Sequence, residues 1–226
     1  MTVLIIAAHP DDEVLGCGGT IPIMAERGEN VYIAILGEGI TSRFENNDAE
    51  VSHLVGQLKN KSLQVAKTLG AKDFFNYSFP DNKFDTIPLL DIVKPIEQLI
   101  KRIGPSKIYT HFGGDLNIDH KITFRAVMTA TRPFKGSSVK EIYSFEVASS
   151  TEWSFGQFDS IFNPNVFVDI SSTFEQKINA LKFYDCEIRD FPHPRSEKAL
   201  KAYSEKWGSQ VGLPAAEVFQ LIRWIR

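Results

Sequence analysis

The sequence predicts a single three-layer α/β domain built on a mainly parallel sheet. Three observations carry this. Short apolar runs alternate with longer segments whose apolar residues recur every three or four positions, the pattern of strands alternating with amphipathic helices. The first run, Val3-Leu-Ile-Ile-Ala-Ala, is apolar throughout, as a strand covered on both faces must be. The chain has 226 residues, 43% hydrophobic and 23% charged, enough for one core without staples. No repeat, low-complexity segment or linker divides it, so residues 1–226 read as one domain.

The elements follow in order. After the first strand, Ala8-His-Pro-Asp-Asp-Glu13 forms a polar turn, and Ile21 to Arg27 form a helix that Gly28 ends. The intervening Gly16-x-Gly18 is followed by Ile21 where a dinucleotide loop needs glycine, and acidic residues precede it, so it is not read as a phosphate cradle. Val31-Tyr-Ile-Ala-Ile-Leu is the second strand, with a polar loop over residues 37–47 at its end. Val51, Leu54, Val55, Leu58, Val65 and Leu69 keep helical spacing until Gly70. Phe74-Phe-Asn-Tyr is a short third strand and Phe79-Pro-Asp-Asn a turn. Leu89 to Ile103 form a helix with a kink at Pro95, stopped by Gly104-Pro105. Lys107-Ile-Tyr-Thr-His is the fourth strand, and Asn117 caps the helix that carries Ile122, Ala126 and Val127. Glu141-Ile-Tyr-Ser-Phe and Val166-Phe-Val-Asp-Ile are further strands. Ser172-x-x-Glu175 reads as a capping box for a helix reaching Ile188. Two shorter helices, over 197–207 and 214–222, close the chain.

A net charge of −3 argues against nucleic acid as the main partner. Cys17 and Cys186 stand far apart and read as reduced thiols. No basic leader and no long apolar segment is seen, so a cytoplasmic protein without membrane insertion is expected; a homo-oligomer is left open.

In parallel sheets ligands bind beyond the carboxyl ends of the strands, and the unusual polar residues collect there. His9, Asp11 and Asp12 follow strand one, Arg43 strand two, Asp81 strand three, and His111 to His120 strand four. Charges so close to an apolar strand are costly unless satisfied, and a metal ion would satisfy them. The competing reading is an acidic turn that caps a helix. His9, Asp12 and His120 make a two-His, one-carboxylate set suited to Zn²⁺ with an open position, with Fe²⁺ or Co²⁺ as alternatives. Placing His120 in a helix's first turn favours neutral imidazole, the metal-binding form. Asp11, adjacent to a ligand but not needed as one, can act as general base, and the reaction class is hydrolysis of an amide or ester.

Ala8-His-Pro-Asp-Asp-Glu13 with the later Asp119-His120 resembles the PIG-L, or LmbE-like, family of zinc N-deacetylases. The resemblance extends to the Glu38-Gly39 and Arg43 loop, Pro80-Asp81, Asp115-Leu-Asn-Ile-Asp-His, and His193-Pro-Arg-Ser with Gly208 to Gly212. It implies a Rossmann-like three-layer sandwich, with His9, Asp12 and His120 as zinc ligands and Asp11 as base. The substrate it implies is an N-acetylated amino sugar or sugar conjugate. Family members often carry His-x-x-His at the second motif; here the first of these is Asn117, which can hydrogen-bond an oxyanion but not protonate an amine. Either Asp11 makes both proton transfers, or His193 or His111 stands in, with His193 favoured. Arg43 and Asp81 resemble positions that hold sugar hydroxyls, and His111 joins them as a substrate-binding candidate; their alternatives are a solvated loop Arg, a turn Asp and a packed His. Glu13 either orients a ligand or charges a helix N-terminus, Trp153 either floors a sugar or packs at a rim, and His53 lies on a helix surface. Competing functions are a catalytically silent sugar-binding module, an amidase for another acyl group, and a non-haem Fe(II) oxygenase, the last disfavoured by the α/β pattern.

Overall fold

A computed structural model describes residues 1–44, 49–157 and 160–226; the end of the polar loop expected over 37–47 lies outside the described residues from residue 45 onward. Among the described residues seven strands form one sheet in the order β3-β2-β1-β4-β5-β7-β6. They are β1 (Thr2–Ala7), β2 (Asn30–Gly37), β3 (Asp73–Phe79), β4 (Lys107–His111), β5 (Glu141–Phe145), β6 (Val166–Asp169) and β7 (Ala216–Trp224). The first five pair in parallel, with β1 central between β2 (Thr2↔Asn30) and β4 (Val3↔Lys107). β7 runs antiparallel to both β5 and β6.

The alternation along β1 explains the three layers. Val3, Ile5 and Ala7 point into one apolar cluster with α1 (Asp12–Cys17), α2 (Thr20–Glu26), α3 (Ala49–Thr68) and α6 (Phe174–Leu181). Leu4, Ile6 and Ala8 point into the other with α4 (Leu89–Ile103) and α5 (Ile118–Ala130). A strand buried on both faces is what the unbroken apolar run encodes. α7 (Glu197–Ser209) lies by β7. Gly16 lets α1 approach the sheet, since a Cβ there would sit 2.3 Å from Phe145 Cδ2.

Four expectations change. Residues 214–222 form most of β7 rather than a helix: Glu217 and Phe219 alternate with Ala216 and Val218, a period of two that an apolar stretch this short does not distinguish from a helix. Ser172 caps nothing; α6 starts at Phe174, and Thr173 at its N-cap gives its hydroxyl to Gly19 O instead (2.7 Å). α6 also ends at Leu181, short of Ile188. The motif turn itself opens a helix, α1, which the glycines after it concealed. α4 runs through Pro95 and stops at Gly104, whose φ of 57° is the left-handed C-cap glycine favours.

Candidate active site

β1 delivers Ala8 to the carboxyl edge of the sheet, and the chain then turns sharply. Asp11 adopts φ 104°, unusual for any residue with a Cβ, and its N–H is held by Glu13 Oε2 (3.0 Å). Glu13 is held by the Tyr184 hydroxyl (2.6 Å). Burial pushes the Glu13 carboxyl up to about 7 against that bond. Glu13 therefore braces the turn through Asp11 rather than through His9, Asp12 or His120, and it also stands in the first turn of α1. The turn aims Asp12 inward: Oδ2 accepts the His9 N–H (2.8 Å) and lies 3.4 Å from His9 Nδ1 and 3.3 Å from His120 Nε2.

His120 arrives from the first turn of α5, whose cap is Asn117 as expected, its side chain accepting the Asp119 N–H (2.8 Å). The outer nitrogens of both histidines are taken by carboxylates. His9 Nε2 meets Asp119 Oδ2 at 2.9 Å, and His120 Nδ1 meets Asp115 Oδ1 at 3.2 Å. Asp119 is pinned in turn by the Phe84 N–H and Asp115 by the hydroxyls of Ser150 and Thr151. One imidazole nitrogen facing inward and the other held by a carboxylate is the arrangement that orients histidine on a metal.

The electrostatics ask for a cation. Burial opposes imidazolium at His9, yet the bonds to Asp119 and Asp12 outweigh it and hold the ring at about 10. His120 is held at about 9 against burial by Asp12 and Asp115. Burial also opposes ionised Asp12, but the charge of His120 and its hydrogen bonds with His120 and His9 keep it well below the usual carboxylate range. The three inward donors fit a divalent ion by residue type and convergence. A second convergent set, His9, Asp81 and Asp119, shares His9, but its carboxylates are already engaged by Ser42, Asn82 and Phe84 N–H donors.

Asp11 sits beside this set, 3% exposed, and its Oδ2 accepts from Arg195 Nη1 (2.6 Å). Burial drives its carboxyl well up, and Arg195 pulls it back. The cleft above is lined by Asp11, Arg43, Asp81, Asn117, His120 and Arg195 among others, joining the ends of β1 to β5. Two sequence candidates fall outside that lining. His111 is fully buried, its Nε2 accepting the Ala8 N–H (2.8 Å) while its ring stacks on His120 at 3.9 Å; burial drops its pKa to about 3, so it is a neutral prop for the motif and not a substrate contact. His193 packs edge-on against Trp153 (5.6 Å) and accepts the Arg195 N–H (3.1 Å). Trp153 packs there too rather than flooring the cleft, and His53 is exposed on α3.

Sequence reasoning gave no role to Asp115, Asp119, Glu187 or Arg195. The first two stood inside the quoted run and Arg195 in His193-Pro-Arg-Ser; Glu187, behind α6, carried no signal. In a second cavity Lys177 pairs with Glu217 and Glu146 accepts from the Trp207 indole, and among the described residues no metal-holding convergence falls there.

The model of the PIG-L family, described as GlcNAc-PI de-N-acetylase, matches residues 4–131, more than half the chain and the span that holds His9, Asp11, Asp12 and His120. The chain belongs to the PIG-L family. Among this PIG-L protein's relatives is the probable N-acetyl-alpha-D-glucosaminyl L-malate deacetylase 2 of Bacillus cereus, 26% identical over 79% of this chain and 80% of that one. N,N'-diacetylchitobiose deacetylase from Pyrococcus horikoshii shares the fold with a TM-score of 0.79 at 19% identity, over 98% of this chain and 84% of that one. So does the 4-carboxy-2-hydroxymuconate hydratase of Pseudomonas putida, with a TM-score of 0.75 at 18% identity, over 100% and 97%. No helix among the described residues is long and apolar enough to cross a membrane.

Proposed function

We propose that this PIG-L protein is a zinc-dependent hydrolase that removes the N-acetyl group from an N-acetylated amino sugar or a conjugate of one. The observation that carries the reading is the convergence of His9, Asp12 and His120 next to a buried carboxylate outside that set, Asp11, at the floor of a polar cleft. The donor set suits Zn²⁺ with a position left open, and when bound the ion supplies Lewis acidity that lowers the pKa of water towards ~7 and polarises the amide carbonyl.

The chain's own residues supply the rest. Asp11 takes a proton from the attacking water as its oxygen bonds to the acetyl carbon. Asn117, on the cleft wall, is an amide donor for the developing oxyanion but has no acidic proton. With His111 and His193 both outside the cleft lining, Asp11 also passes its proton to the departing nitrogen as the carbon–nitrogen bond breaks, giving acetate and a free amine. Arg43, Asp81 and Asn82 present donors and acceptors along the cleft to sugar hydroxyls. The site is cast as a small-molecule site, in a protein we read as cytoplasmic.

The test is acetate release from a panel of N-acetylated sugars and their nucleotide, glycoside and acid conjugates, with metal-stripped protein before and after Zn²⁺. Release by wild type but not by Asp11→Ala supports the reading. Zinc binding without acetate release from any panel member overturns it in favour of a silent binding module or another acyl group.

A further inference from the structure

Four non-glycine residues among those described have positive φ, and three of them, Asp11, Asn82 and Ser149, line the cleft. Strained backbone persists only where its surroundings hold it. One side chain touches two of the three. Arg195 donates from Nη1 to Asp11 Oδ2 (2.6 Å) and from Nε to Ser149 Oγ (2.8 Å). The same Nη1 reaches Glu187 Oε2 (2.8 Å), and Glu187 Oε1 accepts from Arg43 Nη2. A chain of alternating charge, Arg43, Glu187, Arg195 and Asp11, therefore ties together the loops after β2, α6 and β1, with Ser149 adding the loop after β5.

We propose that Arg195, held by Glu187, is the positioning residue of Asp11, fixing Oδ2 so that Oδ1 is presented to the attacking water. This rests on the reading of Asp11 as the base. A guanidinium suits the task because its planar fork serves two carboxylates and a hydroxyl at once, which a lysine ammonium on a flexible stem does not. Its pKa, too high to deliver a proton, keeps the role to orientation. His193 enters indirectly, accepting the Arg195 N–H and so setting the loop from which the guanidinium projects.

Arg195→Ala, Arg195→Lys and Glu187→Gln are compared with wild type for kcat, KM, bound zinc and Tm, and the metal-free crystal structures of wild type and Arg195→Ala are solved. A displaced base costs rate more than binding, so Arg195→Ala is expected to lose about 10–100-fold in kcat with KM within about threefold and zinc content unchanged. Millimolar guanidinium should restore part of that rate, Arg195→Lys should recover little, and Glu187→Gln should fall between. The crystal structure, which needs no turnover, should show the Asp11 carboxylate rotated from its wild-type position. An Arg195→Ala protein with kcat within about threefold of wild type, a kcat loss matched by lost zinc, or an unmoved Asp11 carboxylate overturns the inference. If wild type itself releases no acetate, the functional reading fails, and the Asp11 rotamer alone decides this inference.

Discussion

The two nitrogens of His120 have different partners, Nε2 facing Asp12 and Nδ1 facing Asp115, and the second contact is where a single-atom change is most readable. Asp115→Asn keeps the shape but weakens the carboxylate's hold on Nδ1–H, and zinc affinity should fall roughly 10–100-fold in a chelator competition. An unchanged affinity would show that Asp115 serves to tie down Asn117, Ser150 and Thr151 instead. Asp11→Ala should do the reverse, keeping zinc while losing on the order of 10²-fold or more in turnover. The convergence of His9, Asp12 and His120 was legible in the sequence because His9 and Asp12 share one turn and His120 sits in a marked helix start. The partners were not. Arg195 meets Asp11 across 184 positions, and no local pattern encodes a pair so distant.

β7 shows how an element can be misread and what hangs on it. As a helix, residues 214–222 would have put Glu217 at random relative to α2; as a strand, Glu217 accepts the Gly19 and Thr20 N–H groups (2.8 and 2.7 Å) and pairs with buried Lys177 (2.6 Å). Glu217→Ala leaves the buried Lys177 ammonium with the Leu15 carbonyl but no counter-charge, and two helix N-terminal donors without their acceptor. It should cost about 3–5 kcal/mol in urea unfolding, and a loss below about 1 kcal/mol would contradict the pairing. Just past β5, Glu146 accepts the Trp207 indole N–H (2.6 Å), and burial pushes its carboxyl from 4.5 to about 7 despite that bond. A raised carboxyl pKa means the folded state holds more protons across that window, so its contribution to stability is present at low pH and is lost as pH rises through about 7. Glu146→Gln keeps an acceptor for Trp207 without the charge, and its Tm should fall less than wild type's between pH 5 and pH 8; parallel pH profiles would contradict this. The parallel strands were easier to read than β7 or α6, because burial on both faces writes itself as an unbroken apolar run, whereas a short mixed stretch fits strand and helix spacing alike.

At the scale of the molecule, the sheet's direction does the assembling. Five parallel strands end on one edge, so side chains from residues 9 to 195 meet in one cleft although few are neighbours in sequence. That edge was predictable from strand–helix alternation, and so was the placing of Arg43 and Asp81 there. Which side chains reach the cleft was not: His111 is buried beneath it and the half-buried His193 packs edge-on against Trp153, a matter of packing that residue order does not record. The fold is shared by a hydratase as well as a deacetylase, so the proposed chemistry is argued from the donor set and Asp11 rather than from the architecture. The most direct test is a titration of metal-stripped protein with Zn²⁺, following acetate release from the best N-acetyl sugar of the panel against bound zinc. The account predicts a rate that climbs in proportion to zinc and levels off at one equivalent. A site that fills to one equivalent while acetate release stays at the metal-free level would contradict it.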